Sequence, residues 1–435
     1  MNRRIFEKII EWDNQHNGNA LILTGALGTG KTYLALELAK NFHDSYLYLN
    51  PRNDCKLRLA LSELSSQEQP NLCDFLQTYY QIPTEWLKEF LVILDDFDYY
   101  SDLKHLISHI TDNNYDFRLL ILCTTTQVLT KSAKCNQYTV TPLQFDEYLK
   151  AIGSEWYTEI IQAHYQTKKK IPEIVHKEMH NLFRDYLRIG GMPAAINEYL
   201  HMESMDNIPS VHRMLYENQL AQFKRYTESS SVRLNQIIEL VPEQLTKENK
   251  NFRYNLIRKG ATHNMYKTEV QYLCDLHLVN KIERAAFKIT GEGKFNPEIH
   301  ENQFRLYPTD SGILYSLIMS KNPEFQDETE EEGTSNSNEK LYQLLSEAYL
   351  LQTLTSKRMN TVFWESGSLS KVDFICVFDN CIIPVELKYY ENKRSKSMHV
   401  FRQKYQINTQ QRFGTQNFDV MDQSVVCPLY SLFCL

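Results

Sequence analysis

Glycine and proline are scarce in this 435-residue chain, at 14 and 13 residues, which excludes collagen-like and low-complexity architectures. The nine cysteines are an odd number and include no C-x-x-C pair. They read as reduced thiols, and the expected compartment is the cytoplasm. Cys376 and Cys381 lie close together but have no companion pair of the kind zinc requires, and read as packing residues. No apolar run approaches about 18 residues, and the opening Met-Asn-Arg-Arg-Ile-Phe-Glu-Lys carries no signal-type apolar stretch, so no membrane partner is expected. A net charge of −7 leaves no global basic signature, so any nucleic-acid surface has to be local. No internal repeat is visible. What remains is the composition of a folded protein, 42% hydrophobic and 23% charged, long enough for about two to four domains.

The most informative stretch is Gly25-Ala-Leu-Gly-Thr-Gly-Lys-Thr32, an ungapped match to the phosphate-binding loop G-x-x-x-x-G-K-S/T. The apolar run Ala20–Leu23 precedes it and the helix-forming Tyr33–Lys40 follows, the strand–loop–helix context the motif needs. Backbone N–H groups of such a loop point at a phosphate, backed by the positive end of the helix dipole. Gly25, Gly28, Thr29, Gly30, Lys31, Thr32 and Tyr33 are therefore the candidate nucleotide-binding residues. Lys31 reaches the β- and γ-phosphates of ATP and the Thr32 hydroxyl ligates Mg²⁺.

A second signature follows in Leu91-Val-Ile-Leu-Asp95-Asp96-Phe-Asp98, a buried strand whose C-terminal end presents carboxylates. Asp95 is the candidate Mg²⁺ ligand, acting through water. Asp96 orients or deprotonates the attacking water, one methylene shorter than the Glu many related ATPases place there, so turnover is expected to be slow. Asp98 reads either as a stand-in for that Glu or as a helix cap. A third strand, Leu119–Cys123, ends in Thr124-Thr125-Thr126. Thr125 or Thr126 is a candidate γ-phosphate contact, with strand-end capping as the competing reading.

With further strands at Ser45–Leu49 and Tyr138–Val140 and helices between them, the first 150 residues predict an α/β fold with a parallel sheet. Residues 151–228 read as a helical lid broken at Gly190-Gly191-Met192-Pro193. Residues 229–322 suit a winged helix-turn-helix, residues 323–338 an acidic Ser/Asn-rich linker, and residues 339–435 a helix followed by strands. In the winged-helix segment Lys250, Arg253, Arg258, Lys259 and Lys267 alternate with Phe252, Tyr254 and Tyr266. This pattern suits DNA or RNA contact and protein docking equally. Lys168–Lys170 read as a solvated helix face, and Lys393-Arg394-Ser395-Lys396 as a loop suited to phosphate. His105 and His109 stand four apart on a helix without a third ligand, and read as ordinary surface or core residues.

The C-terminal segment holds another pattern. Glu347 lies on a helix predicted over Leu341–Leu354. Asp373 opens a strand, Phe374–Phe378. Asp379-Asn380 makes a turn, and the returning strand Ile382–Lys388 places Glu386 and Lys388 on one face. Two strand carboxylates and a lysine in this arrangement suit Mg²⁺ binding at Asp373 and Glu386, with Lys388 stabilising developing phosphorane charge. This is the PD-(D/E)xK nuclease pattern, with Glu347 as the helix carboxylate. The competing reading is an inherited but inactive nuclease fold.

The sequence resembles the prokaryotic AAA-type ATPases that carry a C-terminal domain of unknown function with a nuclease-like fold, related to archaeal ATPases and the signal-transducing STAND NTPases. The resemblance rests on the phosphate loop, Ile93–Asp96, Thr141–Leu149, Tyr186–Pro193, and Val372-Asp373-Phe374 with Pro384–Lys388. It implies a C-terminal α/β restriction-endonuclease-like domain, and a lid whose Gly191 and Pro193 approach the nucleotide base. The chain departs from the family in Asp96. It also has Lys134 where an arginine finger is usual, a poorer substitute because lysine makes no planar bidentate contact. Arg118, Arg184 and Arg188 are candidate contributors within the chain. Two functions follow: ATP hydrolysis coupled to a nuclease-like domain acting on nucleic acid, or a slow nucleotide-dependent switch that works through protein binding. The oligomeric state stays open.

Overall fold

The computed structural model describes residues 3–15, 18–128, 135–289, 295–322, 336–367, 370–378, 381–389, 396–407, 409–421 and 424–435. The expected linker centre, Lys134, the Asp379-Asn380 turn and Lys393-Arg394 lie outside them. The chain divides into two compact units that interleave along the sequence. One comprises Met1–Thr141, Glu217–Val232 and Asp275–Leu278. The other comprises Pro142–Tyr216, Arg233–Cys274 and Val279–Leu435.

The first unit is built on β1 (Ala20–Thr24), β2 (Tyr46–Leu49), β3 (Leu91–Asp95), β4 (Arg118–Cys123) and β5 (Cys135–Thr139), in the order β2-β3-β4-β1-β5. Every pairing is parallel. Strand alternation divides the apolar residues between two layers. Ala20, Ile22, Val92, Leu94, Leu119 and Ile121 face one core, and Leu21, Leu23, Leu91, Ile93, Leu120 and Leu122 face the other. A sheet buried on both faces has near-continuous apolar strands, which is why these runs stand out in the sequence.

The second unit carries the helices Phe145–Ala151, Trp156–Thr167, Glu173–Ile189 and Pro193–Met202, and an eight-stranded sheet. Its strands are β6 (Val279–Ile289), β7 (Phe295–Pro308), β8 (Asn360–Ser366), β9 (Ser370–Phe378), β10 (Cys381–Lys388), β11 (Gln411–Gly414), β12 (Asp419–Met421) and β13 (Ser424–Pro428), in the order β12-β13-β11-β10-β9-β8-β6-β7. The β6–β7 hairpin, in the segment expected to form a winged helix-turn-helix, extends this sheet by pairing β6 with β8 at Glu283–Val362 and Arg284–Phe363. The long helix Asn336–Ser356 contains Glu347.

Candidate functional site

The phosphate loop runs from the end of β1 into the helix Lys31–Phe42. Gly25 has φ 149°, and a Cβ there would come within 2.3 Å of the Val140 carbonyl, so only glycine lets the loop turn against β5. Gly30 caps the helix in the left-handed region, φ 93°. Thr29 closes the loop from inside, its hydroxyl donating to the Ala26 carbonyl at 3.0 Å. Arg3 braces it from outside, donating to the carbonyls of Thr29 at 2.7 Å and Thr141 at 2.6 Å. Lys31 Nζ lies across the loop, donating to Gly25 O at 2.8 Å and Ala26 O at 3.0 Å. Burial pushes the Lys31 ammonium below its ordinary pKa, opposed by Asp98, Asp95 and Asp96. Tyr33 is half-exposed on the first turn of the helix.

The Thr32 hydroxyl donates to Asp95 Oδ2 at 2.8 Å, and Tyr48 at the end of β2 donates to the same oxygen at 2.8 Å. Asp96 sits at φ 57°, a left-handed conformation uncommon for a residue with a side chain. Asn50 reaches its Oδ2 at 3.4 Å and Arg52 at 3.9 Å. Burial, then Asp95 and Asp98, raise the Asp96 pKa, opposed by Arg52 and Asn50. A carboxylate with a raised pKa at a strand end has the character of a proton acceptor.

Asp98 has a different place. Its Oδ2 accepts from Thr124 N at 2.9 Å, the Thr124 hydroxyl at 2.9 Å and Thr125 N at 3.0 Å. Arg225 Nη1 stands 3.5 Å away, both side chains being buried. Asp98 is therefore the anchor of the β4 exit. Thr125 is fully buried, and its hydroxyl accepts from Gln127 N at 3.2 Å. Arg118 is engaged with Asp13 at 2.9 Å.

In the second unit, the guanidinium of Arg184 lies 4.8 Å from the centre of the Tyr342 ring, and that of Arg188 lies 5.7 Å from the Tyr315 ring. Gly191 N donates to Asp310 Oδ2 at 2.7 Å, and Leu143 N donates to Gly191 O at 2.7 Å. A Cβ on Gly191 would meet Leu143 O at 2.2 Å, so this packing by itself demands glycine. Pro193 begins the helix Pro193–Met202, a position where a missing N–H costs nothing.

The C-terminal carboxylates are each paired with a cation of the same unit. Lys250 Nζ donates to both oxygens of Glu347, at 2.7 and 2.6 Å, and Tyr307 adds a third donor at 2.9 Å. Arg305 bonds Asp373 at 2.8 Å and Glu365 at 3.1 Å. Burial works to raise the Asp373 pKa, but Arg305, Lys371 and Lys250 together outweigh it and hold that carboxyl below its usual range. Glu386 lies 3.6 Å from Lys388 and 3.8 Å from Arg412. Among the described residues no three His, Cys, Asp or Glu side chains group so as to hold a metal ion. Asp373 is thus occupied by Arg305, whereas Glu386 keeps one buried oxygen, Oε1, without a hydrogen-bond partner. The aromatics expected to meet bases are core residues: Phe252 stacks on Phe304 at 5.6 Å, and Tyr254 on Tyr266 at 5.8 Å, all buried.

Sequence reading missed Tyr48, Asn50, Arg225, Arg305 and the role of Lys250. Only Tyr48 and Asn50 left a local signal, as polar groups at the end of a strand beside β3.

Residues 17–149 match the family model described as AAA domain. Residues 180–324 and 343–432 each match a family described only as a domain of unknown function. Comparison with curated proteins finds no match. Among solved structures, the chain is similar to a Walker-type ATPase of Pyrococcus abyssi, at 14% identity and TM-score 0.43, covering 73% of this chain and 95% of that one. It is also similar to a STAND protein with a tetratricopeptide repeat sensor from Pyrococcus horikoshii, at 14% identity and TM-score 0.26, covering 80% of this chain and 45% of that one. A third similarity is to PCH-2 of C. elegans, at 17% identity and TM-score 0.22, covering 57% of this chain and 60% of that one. The segment 17–149 is similar to the AAA domain family, and its phosphate loop and five parallel strands fit a P-loop NTPase fold.

Proposed function

We propose that this chain is a nucleotide-dependent switch. Its AAA-type domain binds ATP with Mg²⁺ and hydrolyses it slowly, and its C-terminal part works by binding a protein rather than by cutting nucleic acid. The observation that carries the first half is the convergence of Lys31, Thr32 and Asp95 at the C-terminal ends of β1 and β3, with the Thr32 hydroxyl 2.8 Å from Asp95 Oδ2. A hydroxyl and a carboxylate are hard oxygen donors and fit Mg²⁺, which when bound spreads the negative charge of the β- and γ-phosphates. Lys31 neutralises the same phosphates from within the loop. Asp96 takes a proton from the attacking water or orients it, and its short side chain supports slow turnover. Thr125 is proposed as the residue that senses the γ-phosphate.

The second half rests on the paired carboxylates. With Glu347 held by Lys250 and Asp373 by Arg305, the charge needed to recruit a metal is spent inside the fold. The test is ATP turnover by the full chain and by Lys31→Ala, run beside cleavage of labelled DNA and RNA with Mg²⁺ or Mn²⁺. The reading expects slow turnover that Lys31→Ala abolishes, and no cleavage. Cleavage that disappears in Asp373→Ala and Lys388→Ala would instead establish an ATP-coupled nuclease.

A further inference from the structure

The first unit includes two segments, Glu217–Val232 and Asp275–Leu278, that the chain reaches only after long excursions through the second unit. Both grip the nucleotide-binding core at the same place. Gln219 donates to Leu27 O of the phosphate loop at 3.2 Å. Arg225, on the short helical turn Gln222–Arg225, donates to the Thr124 hydroxyl at 3.2 Å and pairs with Asp98 at 3.5 Å. Asp275 accepts from the Thr126 hydroxyl and from Gln127 Nε2, both at 3.2 Å. Every residue from Thr124 to Gln127 at the β4 exit is thus tied either to Asp98 and Arg225 or to Asp275.

The Arg225–Asp98 pair is buried but incompletely satisfied. Asp98 Oδ1 and Arg225 Nε have no hydrogen-bond partner. A buried acceptor and donor left unpaired are costly, and a buried ion pair is favourable only when its remaining lone pairs and protons are used. Oδ2 meanwhile serves Thr124 and Thr125. Arg225 and the two threonines thus meet on a single carboxylate oxygen, Asp98 Oδ2. The guanidinium also lies 5.0 Å from the Tyr99 ring centre, against which Arg52 packs at 4.8 Å, and Arg52 approaches Asp96.

We propose that Arg225 is a positioning residue of the nucleotide site. Through Asp98 it holds Thr124 and Thr125 in place at the β4 exit, and it transmits a change there to the segment 217–232, which continues into the helix Glu228–Leu245. The proposal rests on the ATPase reading above and adds the route by which nucleotide state leaves the site. Its proposed effect on the reaction is indirect, through Asp98 and the threonines.

The experiment compares full-length wild type, Lys31→Ala, Arg225→Met, Arg225→Lys and the charge-neutral double variant Asp98→Asn/Arg225→Met. Each is measured for kcat and KM with ATP and Mg²⁺, and for hydrogen exchange across 217–232 with ATP against ADP. Displacement of a reacting group by roughly 1 Å costs on the order of 100-fold in rate. Arg225→Met is therefore expected to lower kcat by about 10- to 100-fold while KM stays within about threefold, with partial rescue by Arg225→Lys. The nucleotide-dependent difference in exchange at 217–232 is expected to vanish. The double variant removes both buried charges, so it tests the same loss if Arg225→Met does not fold. Unchanged kcat in a folded Arg225 variant, or an exchange difference that survives in the double variant, overturns the proposal while leaving the ATPase reading intact. Wild-type turnover indistinguishable from that of Lys31→Ala overturns both.

Discussion

Replacing Lys250 by methionine tests whether the C-terminal carboxylates are neutralised from within. The substitution keeps most of the side-chain volume and deletes the ammonium that now binds both oxygens of Glu347. Glu347 keeps only 3% of its side-chain surface exposed, and after the change it retains Tyr307 and Gln343 as neutral donors. Removing one partner of a buried pair costs about 3–5 kcal/mol. Lys250 is itself 20% exposed and two neutral donors remain, which places this case at the lower end, about 3 kcal/mol. For a unit of this size that corresponds to a fall of about 6–12 °C in melting temperature. Scanning calorimetry on the full chain reads the shift. Lys250→Met/Glu347→Gln, which removes the stranded charge, should recover most of it. A single-variant loss under about 1 kcal/mol, the value of a surface ion pair, would refute the reasoning. So would a double variant no more stable than the single one.

Asp96→Asn should abolish ATP turnover and at the same time stabilise the protein at neutral pH. The Asp96 pKa is raised in the fold, so the folded state holds that proton more tightly, and stability falls as pH rises from the ordinary aspartate value through the raised one. The gain from Asn should therefore be present at pH 7 and disappear below the ordinary carboxylate range; denaturant midpoints at several pH values check this. Gly191→Ala should destabilise by about 2–3 kcal/mol, because its Cβ would meet the Leu143 carbonyl at 2.2 Å and the Leu143 nitrogen at 2.7 Å, both backbone atoms. Gly153→Ala, with nothing within 4 Å but φ +74°, should cost only about 1 kcal/mol, and thermal melts of the two variants separate steric from conformational strain.

The parallel core was legible because its central strands β1, β3 and β4 are buried on both faces. The apolar run read at Ala20–Leu23 lies within β1, and the other core strands lie within a few residues of their expected bounds. Lys31, Thr32 and Asp95 were legible because phosphate binding forces a local spacing of glycines, lysine and hydroxyl. Asp96 and Asp98 were visible as carboxylates, but their separate surroundings were not. One approaches Asn50 and Arg52, the other Thr124 and Arg225, and those partners are brought in by tertiary packing. Lys250 was read as part of a basic surface and Arg305 was not singled out, yet they close on Glu347 and Asp373, far away in sequence. Local charge patterning carries no information about such pairings. The interleaved Phe252, Tyr254 and Tyr266 misled for a related reason: an aromatic beside basic residues fits a base-stacking surface and a buried core equally well until the hairpin β6–β7 is seen to cover it.

Titration calorimetry of ATP with Mg²⁺ into the full chain and into Lys31→Ala addresses the central claim most directly. The account predicts saturable heat for one nucleotide per chain, absent from a Lys31→Ala protein that melts like the wild type. No heat with the wild-type chain, or the same binding curve for both proteins, would contradict it.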